Sequence, residues 1–153
     1  MSFVTWHFYG YGIKVDEIGE IGEISKERLK SLIDLAPIFK EQLQEQLEKM
    51  QVTDPDLEDY CDAMQNAELD FGFLGLASIL KYVMEEVEGL KFVACDNFDN
   101  EHFLIFTPQY PWRMTEREQQ VTEESLNDIF TKYVGVLTDK EIDIDYQSVE
   151  NGG

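Results

Sequence analysis

Cys95 and His102 are the residue types in this chain that could together do covalent chemistry. They stand at the facing ends of two β-prone stretches, Cys95 next to last in residues 91–96 and His102 first in 102–107, which bracket the polar residues Asn97-Phe98-Asp99-Asn100. A four-residue turn there sets Cys95 opposite His102 across a hairpin, and a Cys–His pair can generate a thiolate nucleophile. The surroundings oppose that chemistry. Cys95 has apolar neighbours, which raise a thiol's pKa, and the acidic character of the whole chain disfavours a thiolate. Neither a third orienting group nor an oxyanion site is recognisable, so the enzyme reading is remote. His7, the other histidine, lies on an aromatic-rich stretch and reads as a structural residue.

Metal and cofactor chemistry find no better support. Asp54-Pro55-Asp56-Leu57-Glu58-Asp59 begins like a calcium loop, but Asp59 stands where the loop needs glycine and Gln65 where it needs a bidentate Glu. Cys61 and Cys95 are too few for a disulfide framework or an all-cysteine zinc site, and read as two reduced thiols. Gly10-Tyr11-Gly12 is a fragment of a phosphate-binding pattern that leads into a polar connector rather than a helix. No cofactor is implied, and the expectation is a protein without enzymatic activity.

The elements that would position these residues follow from periodicity. Residues 3–9 are aromatic and β-branched with apolar groups on both faces, which predicts an interior strand, loosened afterwards at Gly10 and Gly12. Residues 18–24 repeat Ile-Gly-Glu and read as an extended connector or an acidic arm. Ser25 is a helix cap, and helical stripes follow over 26–50, with Pro37 breaking the run or opening a second helix. Asp54-Pro55 starts a helix over 55–67. A turn around 70–72 leads to the most apolar helix, 73–88, with Gly89 at its stop and the centre of the core as its expected place. The hairpin of 91–96 and 102–107 comes next and Pro108 and Pro111 end it. Thr115 with Glu118 forms a capping box opening a helix over 116–137. Strict alternation over 141–147 predicts the last strand, and 151–153 a flexible tail. Strands and helices are segregated, so the expected fold is α+β, one domain over 1–150 with a mostly antiparallel sheet of about four strands.

Charge then limits the partners. The chain carries 32 Asp and Glu against 12 Lys and Arg, a formal net charge of −20 on 153 residues. Such a field repels nucleic acid and anionic membranes and attracts basic surfaces. A hydrophobic fraction of 43% argues for a packed core under that surface rather than disorder. Residues 1–6 lack a secretion-signal pattern, and the apolar run 71–80 is far short of the roughly 20 residues that span a bilayer. The expected location is the cytoplasm.

Three segments concentrate the acid. Asp54, Asp56, Glu58, Asp59 and Asp62 form the first, and Asp139, Glu141, Asp143 and Asp145 the second. The connector 16–23 is the third. Solvated faces that confer solubility are the plainest account of them. The sharper account is a basic protein surface as partner, with a nucleic-acid-binding protein engaged by DNA mimicry. Duplex DNA carries one charge per about 1.7 Å, so twenty negatives match on the order of ten base pairs. In composition the chain resembles small acidic inhibitors of nucleases and repressors, of the phage or mobile-element type. The alternative is an adaptor or immunity-type module whose contact is aromatic as well as acidic. Tyr110 and Trp112, in Tyr110-Pro111-Trp112-Arg113-Met114, would then be its anchors, unless Trp112 plugs the core.

Overall fold

Residues 5–19, 23–68, 74–107 and 111–152 are described by a computed structural model, with the side chains of 5–7, 111, 151 and 152 outside that description. The aromatic N-terminal stretch forms β1 (Thr5–Lys14). Three further strands follow late in the chain, β2 (Val93–Asp96), β3 (His102–Phe106) and β4 (Asp145–Gly152). They order as β2-β3-β1-β4 with every pairing antiparallel, so β1 is interior as its two apolar faces predict. It does not loosen at its glycines. A Cβ on Gly12 would lie 2.1 Å from the Leu104 carbonyl oxygen, and one on Gly10 would lie 2.4 Å from that of Phe106. These glycines permit close backbone approach to β3 and turn nothing.

That approach belongs to a strongly coiled sheet, whose edge strands β2 and β4 come within 8 Å between Cα atoms. Cys95, Phe103, Ile105 and Val149 are buried together on the face away from the helices, with Phe8 and Val93 against them. Tyr11, Ile13, Leu104 and Phe106 face the helices and join the main core.

The described residues form the helices α1 (Lys26–Asp34), α2 (Pro37–Lys49), α3 (Leu57–Asn66), α4 (Leu76–Glu88), α5 (Glu116–Gln119) and α6 (Glu123–Leu137), of which α4 and α6 pack on that second face of the sheet. Ser25 caps α1, its Oγ accepting the Arg28 N–H at 3.1 Å. The stripe over 26–50 is two helices, because Pro37 occupies the first turn of α2. No side chain at the start of α2 caps it. Instead Glu86 of α4 accepts the N–H groups of Ile38 and Phe39 at 3.0 and 2.9 Å.

The cap of α3 is Asp56 rather than Asp54. Asp56 accepts the Asp59 N–H at 2.9 Å and Asp59 accepts that of Asp56 at 3.1 Å, a reciprocal box that fixes the start at Leu57. The α4 helix is the hub, packing on α1, α2, β2 and β3 with Ile79, Leu80, Val83 and Met84 buried. Gly89 ends it in the left-handed region at φ 68°. The expected turn at 70–72 lies outside the described residues.

Two further expectations change at the C-terminal end. The helix over 116–137 is divided, because Thr122 and Ser125 cap each other's backbone and start α6 afresh. The last strand runs over 145–152 rather than 141–147. Ile142 and Ile144 lean on the helical core as extended chain, and one-sided packing gives the same alternation as a sheet ladder. Pairing with β1 begins at Asp145↔Gly12 and continues to Gly152↔Thr5, so Asn151 and Gly152 belong to β4 and not to a tail.

Candidate functional site

The hairpin register removes the pairing on which Cys–His chemistry rests. Asn97 Oδ1 accepts the N–H groups of Asp99 and Glu101, each at 3.0 Å, and Asn97 N–H donates to the Glu101 carbonyl at 3.1 Å. Asn100 takes φ 59°. Asp96 therefore pairs with His102, which leaves residues 97–101 between the strands where four were expected, and a one-residue slip changes every partner. Cys95 faces Phe103, while His102 faces Asp96 on the opposite side of the sheet. Burial, with the nearby Asp96 charge, pushes the Cys95 thiol up to about 12. The backbone N–H of His102 donates to Asp16 Oδ2 at 2.6 Å, which ties β3 to the turn after β1.

The acidic segments are brought together around α1. Lys26 Nζ lies 3.0 Å from Asp54 Oδ2, and Arg28 Nη2 lies 2.9 Å from Asp139 Oδ1. Two residues along a helix rotate a side chain by roughly 200°, so these cations point to opposite flanks of the buried Leu29–Leu32–Ile33 stripe. The segment at the start of α3 stands on one flank, and the segment after α6 stands on the other. Lys26 and Arg28 thus fasten two acidic runs beside one helix. Asp54 holds Lys26 above its ordinary pKa, and the Asp59 N–H holds the Asp56 carboxyl below its own.

The predicted acidic residues divide by role. Asp54 and Asp139 are in ion pairs, and Asp56 and Asp59 form the α3 cap. Glu58, Asp62, Glu141, Asp143 and Asp145 are exposed. A groove of about 650 Å³ runs between α6 and residues 138–144, lined by Asp139, Glu141 and Asp143 among others. Among the described residues no group of three or more His, Cys, Asp or Glu side chains is placed to hold a metal ion. No described helix is long and apolar enough to cross a membrane.

Trp112 is 76% exposed in a single 3-10 turn, so it does not plug the core. Tyr110 lies outside the described residues.

A third region escaped the sequence reading. Tyr9, Tyr11 and Tyr146 converge where β1 meets β4, beside the first turns of α6. Tyr9 and Tyr146 stack at 5.7 Å with 9° between their planes, and Tyr146 meets Tyr11 edge-on at 5.2 Å. The period-two spacing of Tyr9 and Tyr11 was visible, but Tyr146 joins them only through register. No family model, curated protein or solved structure matches this chain.

Proposed function

We propose that the protein is a non-enzymatic binding domain that presents an acidic face to a basic protein, and that this face imitates the phosphates of duplex DNA for a nucleic-acid-binding partner. The observation that carries the reading is the placement of two acidic runs on opposite flanks of α1, held there by Lys26–Asp54 and Arg28–Asp139. A helix with its side chains is about 10–12 Å across. The grooves between the phosphate rows of B-DNA are about 6 and 12 Å wide. With an ion pair of about 3 Å added on each flank, the two acidic runs stand farther apart than either groove is wide, and they present acid on both sides of one helix to arginines and lysines arranged for DNA.

The test uses residues free of the capping and ion-pair roles above. Proteins of the native host retained on the immobilised domain are challenged with duplex DNA, and retention is repeated with Glu58→Lys, Asp62→Lys, Glu141→Lys and Asp143→Lys combined. Displacement by duplex and loss of retention in the charge-reversed variant are expected. Retention that survives both would refute mimicry. A second reading, an adaptor or immunity-type module, is favoured by the exposed Trp112 ring. It predicts that Trp112→Ala abolishes retention while the four reversals leave it intact.

A further inference from the structure

The tyrosine cluster differs in kind from the acidic runs beside α1. Tyr9 is 55% exposed and Tyr146 is 50% exposed, although both have large apolar rings that burial would stabilise. Behind them Tyr11 is buried, and its hydroxyl accepts from Asn127 Nδ2 at 3.0 Å, which fixes the floor. The Tyr146 hydroxyl donates to Glu123 Oε2 at 3.3 Å, so the platform is oriented from α6. Next to it lies an open cleft of about 430 Å³ lined by Tyr11, Glu123, Glu124, Asn127 and Asp128.

Three carboxylates line that cleft with no Lys or Arg. Among the described residues, Glu123, Glu124 and Asp128 take part in no ion pair, whereas Asp54 and Asp139 are already compensated. Aromatic faces attract a cation through their quadrupole, and neighbouring carboxylates add charge and hydrogen-bond acceptors. Guanidinium suits this combination better than ammonium. It is planar, stacks on a ring, is weakly hydrated and still presents edge N–H donors to a carboxylate.

We propose that the Tyr9–Tyr146 platform, with Glu123, Glu124 and Asp128, is a binding site for an arginine side chain of a basic partner, which rests on the acidic-surface reading above and names one anchor within it. The guanidinium lies on the exposed tyrosine ring and directs its N–H groups to Glu123 and Asp128. Asn127 and Tyr11 act only in holding the platform.

Hexa-arginine and hexa-lysine peptides are the probes, titrated into the full chain while the tyrosine ring resonances are followed by NMR. Hexa-arginine is expected to shift the rings of Tyr9 and Tyr146 and to bind more tightly than hexa-lysine. Tyr146→Leu should weaken hexa-arginine about two- to fivefold and erase the preference over lysine. Tyr9→Leu serves as a second variant with the same expected result, with far-UV circular dichroism confirming that each variant is folded. Glu123→Gln should weaken both peptides. Hexa-arginine binding that shifts only residues 26–62 and 139–145 would overturn this site and leave the acidic-surface reading standing. Failure of both peptides to bind would overturn both.

Discussion

Replacing Gly12 with alanine should damage this protein far more than a one-methyl change normally does. The added Cβ would lie 2.1 Å from the Leu104 carbonyl oxygen and 2.8 Å from the Ile105 Cα, both backbone atoms that cannot swing aside. Restoring even a tight 3.4 Å contact requires β1 and β3 to part locally by about 1.3 Å. That opening stretches ladder hydrogen bonds beyond their useful length. Overpacking of this kind costs about 1–3 kcal/mol, and each ladder bond lost adds about 1 kcal/mol. Reduced freedom of the unfolded chain returns only about 0.4–1 kcal/mol. A net loss of about 3 kcal/mol lowers the melting temperature of a domain this size by roughly 6–12 °C. Gly135→Ala is the matched control. It lies in α6 with nothing within 4 Å of its Cβ position, and should gain about 0.5–1 kcal/mol. Thermal and urea unfolding followed by circular dichroism should therefore move in opposite directions for the two variants. A Gly12→Ala protein within 1 °C of the parent would refute the close approach of β1 to β3.

Glu86→Ala removes the carboxylate that caps α2 from α4, and urea unfolding should show a loss of about 1–2 kcal/mol. Glu86→Gln should recover part of it, since one amide oxygen still accepts. Burial pushes the thiols of Cys61 and Cys95 up to about 12, against an ordinary value of 9.0, so the folded state holds their protons more tightly than the unfolded state does. Their contribution is complete below pH 9 and shrinks as pH rises towards 12, so unfolding midpoints should fall across that window. At pH 8 both thiols should resist iodoacetamide in the native state and react once urea unfolds the chain. Trp112→Ala should change stability by less than about 0.5 kcal/mol in the same assay, because its ring is exposed.

The parts of the fold legible in the sequence were those specified by short-range chemistry. Ser25, Thr115 and Gly89 mark helix ends through one side chain or one backbone angle, and they stand where their residue types predict. The α4 helix is recognisable as the hub from its apolar content alone. What was not legible depended on a competitor nearby or a partner far away. Asp54-Pro55 is a good helix start, but the box between Asp56 and Asp59 is a better one two residues on. The alternation of Ile142 and Ile144 reports a buried face without saying whether a strand or a helix buries it. Register was the costliest omission. A single residue in the Asn97–Glu101 turn separated Cys95 from His102, and register alone gathered Tyr9, Tyr11 and Tyr146. For the candidate site, composition supplied the acidic runs, while their disposition about α1 required the long-range pairs Lys26–Asp54 and Arg28–Asp139.

The interior position of β1 has a consequence for synthesis. Both of its neighbours lie late in the chain: β3 starts at His102 and β4 at Asp145. A ribosome adding about 5–20 residues per second takes on the order of 5–20 s to travel from β1 to β3, and longer to reach β4. Through that interval the helices α1 to α4 can assemble, while Phe8, Tyr9, Tyr11 and Ile13 have no strand to pair with. Of these four strands β1 emerges first and is among the last to be enclosed. An unpaired aromatic strand exposed through that interval is a site where the nascent chain can aggregate.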